Sequence, residues 1–171
     1  MVRAEIVIIG GGVIGTSVAY HLARRGCRDV LVLDRGEDLG AGSTSKATGG
    51  FRLQFDNETE VRLSQLSREK LLAFEEETGI DSGYRPYGYL FLACNPGELE
   101  LLRAAQTVQH ACGVTEARMV GAAEARELSP VIAEESIVGG TFCPSDGFIR
   151  PMNILRGYRA AAERLGVRFV H

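Results

Sequence analysis

Apolar residues are grouped along the chain in a pattern that predicts strands and helices in alternation. Residues 6–9 form one continuous apolar run, and residues 30–33 form a second. Short runs of this kind are typical of parallel strands that are buried on both faces. Between them, residues 13–25 place their apolar side chains along one side of a helix. The strand–helix–strand order predicts the start of an α/β fold with a parallel sheet.

The middle of the chain carries a different pattern. Amphipathic spacing predicts helices over three ranges: 57–78, 98–112 and 121–128. Residues 87–92 alternate aromatic and aliphatic side chains, which indicates a strand. Residues 137–150 resemble two paired strands around a turn at Pro144-Ser145-Asp146-Gly147.

The last residues return to the first pattern. Pro151 begins an alanine-rich helix to about residue 165, and residues 167–170 form a third apolar run. A strand that follows such a crossover helix joins a parallel sheet. We therefore expect strand order 3-2-1, which is one half of a doubly wound sheet.

A glycine motif lies where the first strand meets its helix. Gly10, Gly12 and Gly15 match the spacing G-x-G-x-x-G of dinucleotide-binding proteins. In that motif the first glycine permits the turn, the second lets a pyrophosphate approach and the third lets the helix pack closely. The amides of Val13 and Ile14 then lie at the positive end of the helix, where they can bind phosphate.

Asp34 follows the second strand, about 20 residues beyond the glycines, where a dinucleotide ribose needs an acceptor. Its charge favours a free 2′-hydroxyl over a 2′-phosphate. FAD and NAD both satisfy this pattern, and a nucleotide-free strand–helix–strand unit is the structural alternative.

The segment after Asp34 is polar and glycine-rich. Ser43, Thr44 and Ser45 lie in it, at the sheet edge where ligands bind, so their hydroxyls are candidate phosphate contacts. A flexible linker has the same composition. Arg52 is the first arginine after this loop, and its guanidinium suits a flavin carbonyl or a substrate carboxylate. A surface salt bridge is the alternative for Arg52.

Composition excludes several classes of partner. The 171 residues carry a net charge of −3 without a basic stripe, so nucleic acid is not an expected partner. No apolar run reaches the length of a membrane span. The histidines are isolated, and we expect no metal site. The cysteines are scattered, which predicts reduced thiols and a cytoplasmic protein: Cys27, Cys94, Cys112 and Cys143.

Several stretches together resemble the FAD-dependent D-amino-acid oxidase-like oxidoreductases, and within them the β subunits of sarcosine oxidase and proline dehydrogenase. The similarity spans nearly the whole chain. It rests on six stretches: Ile6–Gly15, Asp34-Arg35, Gly42–Ser45, Thr48–Phe55, Gly88–Leu92 and Asp146-Gly147.

This resemblance implies a fold and a domain division. The fold is α/β, an incomplete doubly wound (Rossmann-like) FAD-binding sheet with an inserted α+β segment. Residues 1–80 and 151–171 are expected to form part of the FAD-binding domain. Residues 81–150 are expected to be an inserted part of the substrate domain.

The resemblance also implies contacts between FAD and particular residues. The glycine turn, with the helix amides, meets the pyrophosphate, and the acid after the second strand meets the adenosine ribose. The loop hydroxyls touch phosphate or ribityl oxygens, a backbone amide of the last strand meets adenine, and two residues approach the ring system. In chain order the expected contacts are Gly10, Gly12, Val13, Ile14, Gly15, Asp34, Arg35, Ser43, Thr44, Ser45, Gly50, Arg52 and Val170.

The implied reaction removes a hydride from the carbon of a C–N bond in an amine or amino acid such as sarcosine, glycine or proline. Full-length members are longer and complete the substrate pocket with their C-terminal half, so we expect this chain alone to be inactive. The position near Pro151 holds no histidine, so no covalent flavin is expected there.

Two other functions fit the sequence. One is a non-catalytic nucleotide-binding subunit that pairs with another chain, and the other is an NAD-dependent oxidoreductase. An incomplete sheet leaves the first strand unpaired along one edge, which predicts self-association or a partner subunit.

Overall fold

The computed structural model describes residues 3–36 and 39–171. The strands in this part of the chain are β1 (Ile6–Ile9), β2 (Val30–Leu33), β3 (Gly50–Phe51), β4 (Tyr89–Ala93), β5 (Arg118–Val120), β6 (Gly139–Cys143), β7 (Gly147–Phe148) and β8 (Arg168–Val170). The α-helices are α1 (Val13–Arg24), α2 (Ser43–Lys46), α3 (Glu58–Leu72), α4 (Phe74–Thr78), α5 (Pro96–Ala111), α6 (Ala122–Leu128) and α7 (Pro151–Arg164). A short 3₁₀ helix spans Glu134–Ser136.

The chain divides into two compact units. Unit 1 comprises residues 1–49, 70–84 and 149–171, and unit 2 comprises residues 50–69 and 85–148. Within the described ranges, no helix has the length and apolar character that crossing a membrane requires.

Unit 1 is built on a parallel sheet of order β1-β2-β8, in which β2 is the central strand. Val30 and Val32 of β2 are fully buried. They share a core with Ala19 of α1 and Ala162 of α7, which are also fully buried. Such small side chains let a helix lie close to a sheet. The structure confirms the α/β class and the position of the last strand beside β2.

The predicted single helix over residues 57–78 is wrong, because the structure has two helices there. Ala73 lies between α3 and α4, and Phe74 after it is almost fully buried. The ring of Phe74 packs edge-on against Tyr158 of α7, with centroids 5.0 Å apart. Gly79 ends α4 in the left-handed conformation, with a φ of 81°.

Unit 2 contains an antiparallel sheet of order β4-β6-β5 and a short antiparallel pair, β3-β7. The predicted hairpin over residues 137–150 is therefore wrong, because β6 pairs with β4 and β5 while β7 pairs with β3. Two glycines let neighbouring backbone approach closely, Gly140 in the β4–β6 pairing and Gly147 beside Arg85, which lies outside the named strands. A Cβ on Gly140 would lie 2.1 Å from the Phe91 carbonyl oxygen, and one on Gly147 would lie 2.0 Å from that of Arg85.

Candidate functional site

The glycine turn in unit 1 is held tightly between β1 and α1. Gly10 has a φ of 104°, which only glycine adopts readily, and its amide donates to the Leu33 carbonyl at 2.7 Å. A Cβ on Gly15 would lie 1.9 Å from the carbonyl oxygen of Gly10. The third glycine of the motif is therefore required because α1 begins directly against the turn.

The carboxylate of Asp34 faces this turn. Its Oδ2 accepts a 2.5 Å hydrogen bond from the Gly11 amide, and its Oδ1 accepts one of 2.8 Å from the Gly36 amide. These two backbone donors lower the pKa of Asp34 below its ordinary value, and the Gly36 amide has the larger effect. Asp34 is thus an anionic acceptor fixed beside the helix start. Gly11 was not singled out by the sequence, although its amide makes the contact.

The hydroxyl-bearing loop reaches the same place. Thr44 is buried, and its Oγ1 accepts a 3.1 Å hydrogen bond from the amide of Val13 in the first turn of α1. A Cβ on Gly12 would lie 3.3 Å from that oxygen. Ser43 and Ser45 are exposed on α2, where the Ser45 hydroxyl donates to the Gly42 carbonyl. The loop is therefore tied to the helix start through Thr44.

These groups border a cavity of about 190 Å³. Five of the predicted contacts line it. Four further lining residues were not predicted, because they are glycines and an alanine, which carry no functional group in a side chain. Among the described residues, the lining is Gly12, Asp34, Arg35, Ser43 and Thr44, with Gly36, Gly40, Ala41 and Gly42 in addition.

A smaller cleft also borders Asp34. Its lining includes Gly11, Val170 and the ring of Phe169, over which the Arg159 guanidinium lies at 4.8 Å from the centroid. The Val170 carbonyl accepts a 3.0 Å hydrogen bond from the Asp34 amide. The structure thus brings Val170 beside the carboxylate. The remaining predicted contacts of unit 1 line neither space: Gly10, Val13, Ile14, Gly15 and Ser45. The Val13 amide, predicted to bind phosphate, donates to Thr44 Oγ1 instead.

The residues present fit the adenosine diphosphate part of a dinucleotide. A side chain on Gly11 would come within 3.0 Å of Asp34 Oδ2, so glycine keeps the cradle open. The amino end of α1 offers positive potential to phosphate, and Asp34 offers acceptors to hydroxyls. In the described part of the chain, no cluster of three or more histidine, cysteine or acidic residues could hold a metal ion.

Arg52 and Gly50 lie in unit 2. The guanidinium of Arg52 stacks over the rings of Phe55 and Phe91, at 4.8 and 5.5 Å from their centroids. Among residues 3–36 and 39–171, no carboxylate pairs with Arg52. The described part of the structure therefore does not contain the surface salt bridge that was the alternative for this arginine. Its N–H groups can therefore bind an anion.

A buried carboxylate, missed by the sequence, holds the Arg52 segment. Asp146 is fully buried, and its two oxygens accept from the Leu53 amide at 2.7 Å and from Gln54 Nε2 at 3.0 Å. Burial raises the pKa of Asp146 despite these donors. The sequence pattern predicted Asp146 as a turn residue, and no local motif indicates its contact with Leu53.

Comparisons with known proteins identify similar chains. The protein family described as FAD dependent oxidoreductase matches residues 5–171. Mitochondrial dimethylglycine dehydrogenase of Rattus norvegicus is 35% identical over 174 residues, which cover 96% of this chain and 19% of that protein. The mitochondrial pyruvate dehydrogenase phosphatase regulatory subunit of Mus musculus is 30% identical, over 97% of this chain and 19% of its own length.

Among solved structures, L-proline dehydrogenase from P. horikoshii superposes with a TM-score of 0.89 at 30% identity. The match covers 99% of this chain and 44% of that one. The chain therefore spans about a fifth of the length of these two curated relatives and less than half of the solved one.

Proposed function

This chain belongs to the FAD-dependent oxidoreductase family, and we propose that its unit 1 binds the adenosine diphosphate half of FAD. The observation that carries the proposal is the Asp34 carboxylate, which the Gly11 amide holds against the glycine turn. Because the family is FAD dependent, the NAD alternative is set aside.

Each polar group at the turn has a proposed partner. Asp34 Oδ1 and Oδ2 each accept one backbone hydrogen bond, which leaves further lone pairs for the ribose hydroxyls. Thr44 Oγ1 already accepts from Val13, so its own proton is available to a pyrophosphate oxygen. Gly12 leaves room for that pyrophosphate, and the exposed Arg35 offers it a positive charge.

The other contacts stay proposals that the family resemblance supports. Ser43 and Ser45 would meet phosphate or ribityl oxygens, and a backbone amide at Val170 would meet adenine. Gly50 and Arg52 would approach the ring system. We keep the division into a FAD-binding part, residues 1–80 and 151–171, and an inserted part, residues 81–150, as a proposal about function.

The proposed activity of the whole protein is oxidation of a C–N bond in an amino acid or secondary amine such as sarcosine, glycine or proline. Bound flavin supplies the acceptor for the hydride. Arg52, which has no carboxylate partner in the described part of the chain, would hold a flavin carbonyl or the substrate carboxylate. Because the chain spans 44% of the matched proline dehydrogenase, we propose that it binds FAD without completing a turnover.

Flavin absorption tests the proposal. The purified chain is expected to retain or take up FAD with a visible flavin band, and to prefer FAD to NAD in a competition titration. Sarcosine, glycine or proline is then added without oxygen, and we expect the band to persist. Bleaching by any of them would refute the proposed inactivity, while failure to bind FAD at all would refute the cofactor assignment.

A non-catalytic subunit is the second candidate. One 30% identical relative is named a regulatory subunit, and β1 pairs only with β2 in the described sheet. Val7 and Ile9 of β1 are 48% and 79% exposed. We propose that this edge pairs with a second copy or a partner chain.

The cytoplasmic location stays a prediction, and the two relatives above are named mitochondrial.

A further inference from the structure

The Arg52 guanidinium lies over two aromatic rings, although residues 52–55 belong to no helix or strand. The pairing of β3 with β7 ends at Phe51, so it does not fix the backbone beyond that residue. An exposed arginine on such a segment ordinarily samples many rotamers, and ordering them costs free energy when a ligand binds. The groups that hold residues 52–55 therefore decide how Arg52 meets a ligand.

Asp146 continues the pairing of β3 with β7 past its last residues. In this antiparallel pair Phe51 lies opposite Gly147, so the next opposed positions are those of Arg52 and Asp146. A side chain replaces the strand ladder there, because Asp146 Oδ1 accepts from the Leu53 amide at 2.7 Å. The fully buried carboxylate thus takes the place of a strand carbonyl where the chain leaves β3.

The second oxygen of Asp146 binds the side chain of the following residue. Asp146 Oδ2 accepts from Gln54 Nε2 at 3.0 Å, and the same nitrogen donates to the Tyr89 carbonyl of β4 at 2.9 Å. Phe91, one of the two residues whose rings lie against the Arg52 guanidinium, belongs to the same strand. Gln54 therefore joins the buried carboxylate to the strand that carries this ring.

Gln109 of α5 holds the other end of the segment. Its Nε2 donates to the carbonyl of Phe55, the residue with the second ring, at 3.1 Å. Gln54 and Gln109 are both almost fully buried, and in the described structure the Oε1 atom of each has no hydrogen-bond partner. An unpaired buried acceptor costs free energy, so stability alone does not explain either amide. Both amides place an N–H group on the segment that carries Arg52.

We propose that Asp146 and Gln109 are positioning residues for Arg52. Asp146 fixes the backbone at Leu53, and Gln109 fixes it at Phe55. The guanidinium is then already ordered over the rings when a ligand oxygen arrives, which is how a supporting shell prepares a binding group. This inference rests on the proposed function, in which Arg52 holds a flavin carbonyl or the substrate carboxylate.

Nuclear magnetic resonance of the ¹⁵N-labelled full chain, recorded without flavin, tests the position of Arg52 through its Nε–H signal. Ring currents are expected to shift this signal upfield, because the guanidinium lies over two rings. Asp146→Asn keeps the shape of the side chain but leaves one acceptor for two donors, so the Leu53 amide or Gln54 loses its partner. The upfield shift of Arg52 is then expected to be lost. A folded Asp146→Asn chain that keeps the shift would overturn the proposal.

Two controls separate positioning from a general loss of stability. Arg118 is the internal control, because its guanidinium lies 5.5 Å from the centroid of the Phe142 ring in the same unit. Its signal is expected to stay in place in Asp146→Asn. Val120→Ala is the matched variant, because it destabilises a different buried cluster of unit 2. It should lower the Tm and leave the Arg52 shift intact, and an equal loss of that shift would contradict the specific role of Asp146.

A pair of variants on α5 tests the second anchor and covers the case in which the first variant does not fold. Gln109→Met removes the N–H group that reaches the Phe55 carbonyl, and the Arg52 signal is expected to lose its upfield shift. Gln106→Met is the control, because Gln106 Nε2 also donates to a backbone carbonyl, that of Ala117, outside residues 52–55. Equal effects of the two variants on Arg52, or an unchanged signal in Gln109→Met, would refute the role of Gln109.

A FAD titration of the same samples separates this inference from the proposed function. The Arg52 signal is read before flavin is added, so a chain that fails to bind FAD would refute the cofactor assignment and not the positioning. FAD binding together with an Arg52 signal that neither Asp146→Asn nor Gln109→Met changes would overturn the positioning alone.

Discussion

Replacement of Gly15 by alanine tests the packing of α1 against the glycine turn. The new Cβ would lie 1.9 Å from the Gly10 carbonyl oxygen, far below the 3.0 Å that real Cβ contacts respect, and 3.3 Å from Ile8 Cγ2. Because the nearest atom is backbone, no side-chain rotation relieves the overlap. Overpacking of this severity costs about 3 kcal/mol, and the better helix propensity of alanine returns about 1 kcal/mol.

The net loss of about 2 kcal/mol corresponds to a fall in Tm of roughly 6 °C for a chain of this length. Thermal unfolding followed by circular dichroism measures it. Gly121→Ala is the control, since its φ is −79° and a Cβ there meets open space. Gly121 is the N-cap residue of α6, and its replacement by alanine should cost less than about 1 kcal/mol. If both variants melt at the same temperature, the argument for the third glycine is refuted.

Three further predictions concern charge, reactivity and association. Hydrogen bonds lower the folded-state pKa of Asp34, so its stabilisation is complete above the ordinary pKa of about 4 and is lost as the pH falls through the lower folded value. Acid unfolding should show this loss in the native chain and not in Asp34→Asn; identical profiles would contradict it. Burial raises the pKa of Cys143 to about 11, so iodoacetamide at pH 8 should label the exposed Cys94 first, and mass spectrometry detects the reverse order if it occurs. Val7→Lys places a charge beside the open edge of β1 and should reduce self-association, as measured by sedimentation. Val131→Lys, at a residue that is 92% exposed and lies outside unit 1, should not reduce it. Equal association of the two variants would contradict pairing through the β1 edge.

Local patterns in the sequence predicted most of unit 1. The signals depend on short stretches of chain: the apolar runs, the crossover helix at Pro151 and the spacing of Asp34 from the glycines. They predicted the strand order β1-β2-β8 and the position of Asp34 facing the turn. The amides of Gly11 and Gly36 were not predictable in the same way. Every residue carries a backbone N–H, so the sequence alone does not show which ones reach the carboxylate.

Unit 2 was predicted less well, because its contacts join distant parts of the chain. Asp146-Gly147 has the composition of a hairpin turn, yet Asp146 binds the Leu53 amide, 93 residues away, and Gly147 admits the backbone of Arg85. The break at Ala73 was also missed, since alanine favours a continuous helix. The burial of Phe74 and the hydrogen bond from the Ser82 hydroxyl to the Leu71 carbonyl accompany the interruption, and both depend on tertiary structure.

Displacement of FAD by its fragments tests the central claim most directly. If the cradle beside Asp34 holds the adenosine diphosphate half, ADP should compete with FAD for the chain in a fluorescence titration. FMN, which lacks the adenosine and one of the two phosphates, should compete much more weakly. Asp34→Leu, which removes the ribose acceptor, should weaken FAD and ADP by similar factors. Equal competition by FMN and ADP, or FAD binding that is unchanged in Asp34→Leu, would contradict the account.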